Sequence, residues 1–156
     1  MEKQYFENEV WKSIPGFENK YEVSNIGRVR SLPRLAPVTN FKGSEYLMPK
    51  KGFILTPQKD GCGYVHVRLV KDRHYVLYKV HQLVGAAFLG YDRKNDENLV
   101  IDHLNGIKHD NRLENLEVVS RSENSKRFWN STKGKDVRKT MRKPHRKNKE
   151  ENEKCL

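Results

Sequence analysis

Asp102 and His103 stand side by side at the end of a short apolar run, Leu99-Val100-Ile101, with Asn105-Gly106 one residue further on. Asn115 follows twelve positions past the histidine, and Asn124 nine past that. A carboxylate, an imidazole and two carboxamides at these intervals suit metal-assisted hydrolysis of a phosphodiester. That reaction needs a nucleophile, a cation to absorb charge on the phosphate and leaving oxygen, and donors for the non-bridging oxygens. A neutral His103 can take a proton from water, because imidazole titrates near neutral pH. Asp102 and the side-chain oxygen of Asn124 are hard ligands that suit one Mg²⁺ or Mn²⁺, with water and phosphate in the remaining positions. One carboxylate is a weak anchor, so tight metal binding is expected only once the substrate adds its own oxygens. An isolated Asp-His pair is most often a surface loop and Asn-Gly most often a turn, so the weight rests on all four residues occurring together.

These side chains must be positioned by short elements. Adjacent residues of a regular strand point to opposite faces, so the strand has to end or twist at Asp102-His103, and Asn105-Gly106 is a turn signal in the right place. Asn111-Arg112-Leu113-Glu114 has capping-box spacing and predicts a single helical turn. Leu116 to Val119 reads as a second strand. Ser120-Arg121-Ser122-Glu123 is another capping box, which predicts a helix from about Arg121. Asn124 then falls in its first turn, where it can point back at Asp102 across the two strands. Upstream, Val80, Leu83, Val84, Ala87 and Phe88 recur at helical spacing, with Gly90 placed to end the helix and His81 on the polar flank. Tyr91 to Asn98 is polar and reads as a loop. Val65, Val67 and Leu69 give one apolar face to a strand over 64–70, and Asp72 to His74 turn it into Tyr75 to Lys79.

At the N-terminal end, Tyr21 and Val23 alternate with polar residues and Val29 lies between two arginines. Two strands joined at Asn25 to Gly27 fit this pattern, over a small core of Trp11, Ile14, Phe17, Tyr21 and Val23. Arg28 and Arg30, two apart, project from one face and are candidate phosphate contacts. Leu32 to Gly61 holds Pro33, Pro37, Pro49 and Pro57, so it reads as a connecting segment with one strand near Phe53 to Thr56. Ser131 to Leu156 is a basic tail poor in apolar residues, expected to be disordered and to add non-specific backbone affinity.

The 156 residues allow one compact domain or two small modules; 35% are hydrophobic and 33% charged, a lean composition for a core. The formal net charge of +11 points to a polyanionic partner, most often nucleic acid, with affinity that falls steeply with salt. Cys62 and Cys155 have no metal-ligand spacing, which argues against a zinc ribbon and a disulfide framework. No apolar run could span a bilayer and Met1 to Tyr5 form no signal core, so a soluble, cytoplasmic protein is expected.

The motif Ile101-Asp102-His103-Leu104-Asn105-Gly106 with Glu114-Asn115-Leu116 and Glu123-Asn124 resembles the HNH homing endonucleases of phage introns. Trp11, Gly16-Phe17-Glu18, Tyr21-Glu22-Val23-Ser24-Asn25 and Gly27-Arg28-Val29-Arg30-Ser31 resemble the small module that precedes such domains and is associated there with DNA binding. The resemblance covers about Glu9 to Ser31 and Tyr64 to Asn124. It implies an α+β fold with a ββα-metal (His-Me finger) core preceded by a small β-rich module. The expected division is 1–60 for the module and linker, 61–130 for the nuclease domain and 131–156 for the tail. It implies His103 as general base, Asp102 and Asn124 as ligands of one divalent cation, and Asn115 holding the loop that orients the histidine. No zinc is expected. Val80-His81-Gln82-Leu83-Val84 resembles a Val-His-Arg-Leu-Val run of the family, with Gln82 in place of the usual basic residue; His81 is read as a structural hydrogen-bonder or DNA contact. Arg28, Arg30, Arg68, Arg121 and His81 are the candidate DNA contacts. The expected partner is double-stranded DNA, bound by a monomer and cut in one or both strands to leave 5′-phosphate and 3′-hydroxyl ends. A helix-turn-helix module often follows the HNH domain in the family, and no good match to one is present. The rival readings are a non-catalytic DNA-binding protein on the same scaffold, and a phage nuclease for packaging or host DNA degradation.

Overall fold

The computed structural model describes residues 8–131 and 134–137. It divides into two compact units, Met1–Ser120 and Arg121–Leu156. In the first, β1 (Trp11–Ser13), β2 (Tyr21–Ser24), β3 (Val29–Ser31) and β6 (Phe53–Ile54) form a four-stranded sheet in that order. The expected β2–β3 hairpin is present, with Glu22 opposite Arg30 and Val23 opposite Val29. Alternation buries Tyr21 and Val23 on one face, as the period of two requires. Trp11 departs from its expected core position. It lies on β1, half-buried, under the Arg30 guanidinium, 4.2 Å from the ring centre.

The proline-bearing segment is not an irregular connection. Arg34–Thr39 (β4) and Glu45–Lys50 (β5) pair as a two-stranded ribbon, with Leu35 opposite Pro49 and Pro37 opposite Leu47. In a two-stranded ribbon both strands are edges, so a proline's missing N–H need not interrupt a ladder. The turn is closed by Asn40, whose Oδ1 accepts the Lys42 and Ser44 N–H groups at 3.0 and 2.9 Å.

A second sheet follows in the order β7 (Gln58–Lys59), β8 (Val65–Lys71), β9 (His74–Lys79). Val65, Val67 and Leu69 point inward as their spacing predicts, and Arg68 is exposed between them. β9 runs directly into α1 (Val80–Phe88), which buries Val80, Leu83 and Val84. Gly90 follows its end. β10 (Leu99–His103) and β11 (Leu116–Ser120) form an antiparallel hairpin, separated by a single 3-10 turn over Leu113–Asn115.

One apolar cluster joins these pieces. It takes Ile14, Phe17 and Val23 from the first sheet, Leu69 from the second, Val80 and Val84 from α1, and Ile101 and Leu116 from the last hairpin. Phe17 packs edge-on against Tyr21 and Tyr78 at 5.8 and 5.3 Å. Each such fully buried aliphatic or aromatic side chain contributes about 1.5–3 kcal/mol relative to an exposed one. The N-terminal strands and the residues around Asp102 therefore share a core.

The second unit holds α2 (Arg121–Asn130), which begins where the second capping box predicts. Its Glu123–Arg127 ion pair has i,i+4 spacing. No helix among the described residues is long and apolar enough to cross a membrane. Most of the basic tail lies outside the described residues.

Candidate functional site

The β10–β11 ladder sets Asp102 opposite Glu117 and His103 opposite Leu116. Strand alternation buries Ile101 and His103 and leaves Asp102 half-exposed. The strand carries both residues in regular register and ends at His103, so the two side chains leave it on opposite faces rather than at a break before them. Gly106 N–H then bonds back to His103 O at 2.8 Å, with φ +68° at Gly106, a left-handed backbone that glycine adopts without steric cost. Asp102 Oδ1 accepts the His103 backbone N–H at 2.9 Å, which folds the carboxylate toward the histidine.

The loop from Leu104 to Asn115 is tied by side chains rather than by a ladder. Asn115 is buried; its Oδ1 accepts Asn105 N–H at 3.0 Å and its Nδ2 donates to Asp110 O at 2.8 Å. Asp110 accepts from Asn105 Nδ2 and from the Nε and one terminal nitrogen of Arg112, at 2.8, 2.9 and 2.9 Å. The Arg112 guanidinium holds the Asp110 carboxyl well below its ordinary range, at about 2. Asn115 thus braces the loop that leaves His103.

His103 is 7% exposed, and its Nε2 lies 3.4 Å from Asn111 Oδ1. A proton carried on Nε2 faces that oxygen and leaves the lone pair on Nδ1. Burial lowers the ring's pKa below the usual histidine value, against the opposing effect of the Asn111 contact. Asn111 is itself buried, and its Nδ2 donates to His109 O at 3.2 Å. Its spacing to Glu114 predicts a helix cap, but Arg112 caps the 3-10 turn without a side-chain bond, and the Asn111 carboxamide faces His103 instead. Gly27 of the N-terminal hairpin presses on the same asparagine. A Cβ at Gly27 would lie 2.9 Å from Asn111 Cβ, and Leu113 N–H bonds Asn25 O at 2.7 Å.

His81 is not on a polar flank. It is 5% exposed, because Tyr64 and the end of β10 cover that side of α1. Its ring sits 5.0 Å from His103 and 5.1 Å from Tyr64, and Tyr64 is 6.1 Å from His103. Burial, then the neighbouring His103 and Lys79, push its pKa down to about 3. Its Nδ1 is buried with no hydrogen-bond partner among the described residues. Such burial leaves little of His81 accessible and makes it a neighbour of the catalytic candidate. Neither Tyr64 nor the Asn111 contact is foreseen in the sequence. Tyr64 stands beside a glycine turn at a strand start, and Asn111 among turn-forming residues, so each has an ordinary local role that hides the other.

Among the candidate DNA contacts, Arg28 and Arg30 each have a carboxylate partner. Arg28 pairs with Glu9, and Arg30 Nε donates to Glu22 at 2.7 Å. Arg68 lines a concave basic surface with Arg34, Lys50, Lys51 and His66. Arg121 opens α2 and Asn124 lies in its first turn, both in the second unit. Asp102 carries a carboxylate and Asn124 a carboxamide, and each oxygen is by its own chemistry a hard donor of the kind a divalent cation takes. Among the described residues no group of three His, Cys, Asp or Glu side chains could hold a metal ion.

The chain is similar to known proteins along most of its length. A family described as NUMOD4 motif matches residues 9–70, and one described as HNH endonuclease matches residues 78–126. An uncharacterized HNH endonuclease, L247, of Acanthamoeba polyphaga mimivirus is 40% identical over 75% of this chain and 25% of its own length. DNA endonuclease I-HmuI of Bacillus phage SP01 is 34% identical over 73% of this chain and 54% of its own. The chain thus spans a quarter and about half of these two curated relatives. A solved structure described as DNA binding and cleavage by the HNH homing endonuclease I-HmuI superposes with a TM-score of 0.58 at 30% identity, covering 83% of this chain and 66% of that one. With a NUMOD4 motif followed by an HNH domain in an α+β fold shared with that enzyme, the chain belongs to the HNH endonuclease family and is homologous to a phage homing endonuclease.

Proposed function

We propose that this chain is a metal-dependent endonuclease that hydrolyses phosphodiester bonds of double-stranded DNA, of the homing type. The observation that carries the reading is the buried His103 imidazole, held between Asn111 and a loop braced by Asn115, beside the Asp102 carboxylate. His103 is the general base. With Nε2 facing Asn111, Nδ1 takes the proton from the attacking water. The lowered pKa favours the neutral ring that a general base requires. Asn115 is a positioning residue that acts through the loop backbone. Asp102 and Asn124 are the residues that hold the cation, Mg²⁺ or Mn²⁺. When bound, that ion supplies charge stabilisation to the phosphate and leaving oxygen. Arg68 and the basic surface around it, with Arg121, supply the main backbone contacts, Arg28 and Arg30 contribute less because each is paired with a carboxylate, and the chain works as a monomer. Its products carry 5′-phosphate and 3′-hydroxyl ends.

The test is conversion of supercoiled plasmid in the presence of Mg²⁺ or Mn²⁺. Nicked or linear plasmid is expected, requiring the metal, with a loss of about 10²–10⁴-fold in rate for His103→Ala. If the folded, DNA-binding protein leaves plasmid and phage or host DNA intact under both metals, the chain is a non-catalytic binder on this scaffold.

A further inference from the structure

Two lysines from distant parts of the chain converge on one ring beside the general base. Lys79 Nζ lies 4.1 Å and Lys108 Nζ 4.8 Å from the centre of the Tyr64 ring. The same ring is 5.1 Å from His81 and 6.1 Å from His103. Tyr64 is fixed from below: Asp60 Oδ1 accepts the N–H of Cys62 and of Tyr64, both at 2.9 Å, and locks the turn that delivers the ring. Lys108 is tethered to that turn through a 3.2 Å bond from Nζ to Cys62 O. Lys79 stands at the N-cap of α1, a helix with no side-chain cap bond and no acid in its first turn, so the helix end adds partial positive charge.

Neither lysine forms an ion pair among the described residues, whereas Arg28, Arg30, Arg73, Arg112 and Arg127 all do. Asp60 lies near enough to Lys79 to feel its charge, but its Oδ1 already accepts two backbone N–H groups. Two like charges near one ring repel each other, and an anion bound by both would relieve that repulsion. The ring faces hold the ammonium groups by cation–π attraction and keep them from spreading into solvent.

We propose that Lys79 and Lys108, held on Tyr64, form a clamp for a backbone phosphate of the bound DNA next to the scissile one. The proposal rests on the nuclease reading for the word scissile, and on the geometry alone for the phosphate site. The clamp would fix the strand's distance from His103, so the lysines are positioning residues rather than groups that exchange protons. Their charge also reaches the imidazoles. After burial, Lys79 is among the causes that lower His81, and Lys108 among those that lower His103.

The experiment measures duplex DNA affinity against salt concentration in the full chain carrying His103→Ala, so that no cleavage intervenes. Removing one phosphate-binding cation makes the log–log salt slope shallower by about 0.9, so Lys79→Gln with Lys108→Gln is expected to reduce it by about 1.8. Lys79→Arg with Lys108→Arg restores the slope, and Tyr64→Phe keeps it because the hydroxyl is not used. Tyr64→Leu, which removes the platform, lowers affinity. Thermal midpoints of the same variants separate unfolding from loss of the phosphate site. A slope unchanged in the folded double Gln variant overturns the clamp, whatever the parent's cleavage activity. A reduced slope in a chain whose His103-bearing parent cleaves nothing keeps the phosphate site and overturns the nuclease reading instead. A parent that binds no duplex at all overturns both.

Discussion

The His81 ring is the most exacting single residue around His103. It is buried against another imidazole, and its pKa is pushed to about 3 by burial first and by His103 and Lys79 after it. A histidine whose folded pKa lies below its unfolded value takes up protons more readily in the unfolded chain. Stability from this residue is therefore complete above about pH 6.5 and declines as pH falls toward 3. Between about pH 6.5 and 5 the expected loss is roughly 2 kcal/mol, from about 1.4 kcal/mol per pH unit. Urea midpoints of the parent and of His81→Phe at these two pH values would check it. The parent should lose more stability on acidification than the variant, which keeps the contribution of His103, whose pKa burial also lowers, while the carboxylates titrate mostly below this window. Equal losses would mean that some other group carries the pH dependence.

Elements reach the site as well as residues. The β2–β3 turn presses Gly27 against Asn111, which faces His103, so the N-terminal module supports the imidazole through one intermediate side chain. Gly27 has φ +82°, and Gly16 has φ +79° with no atom within 4 Å of where its Cβ would stand. Alanine at either site meets the same backbone strain, on the order of 1–3 kcal/mol. Only Gly27→Ala should also slow cleavage at saturating DNA, through displacement of Asn111, while Gly16→Ala keeps the parent rate with a thermal midpoint lowered by backbone strain alone. Rates that fall together would remove the link between the turn and His103. Sequence patterning reveals the parts of this arrangement but not their connection. The periods of two and 3.6 identify β2, β3, β8, β9 and α1, and the second capping box gives the start of α2. The β4–β5 ribbon escapes because proline ordinarily argues against pairing, and only a two-stranded ribbon relaxes that rule. In the site, Asp102, His103 and Asn115 are legible because their chemistry is unusual at that spacing. The Asn111 contact, the buried His81 and Tyr64 are not, because what matters there is proximity between segments that local sequence does not encode.

For the molecule as a whole, the net charge of +11 predicts strong attraction to DNA but not where the strand lies. The ion pairs redistribute that charge. Arg30 is held by Glu22 and stacked on Trp11, so its positive charge is locally offset. Arg68 has no ion pair among the described residues and shares a concave surface with Arg34, Lys50 and Lys51. Arg30→Gln and Arg68→Gln each remove one positive charge and change the long-range field by the same amount. If the overall field governs binding, the two variants lose affinity equally. If local contacts govern it, Arg68→Gln loses more, by several-fold for a contact of about 1 kcal/mol, because the Arg30 guanidinium is already engaged by Glu22. Dissociation constants of both variants for one duplex, in the His103→Ala background at fixed salt, distinguish the cases. A larger loss for Arg68→Gln is expected. A larger loss for Arg30→Gln would mean that the N-terminal hairpin carries the strand and that Glu22 presents Arg30 to a phosphate rather than withdrawing it.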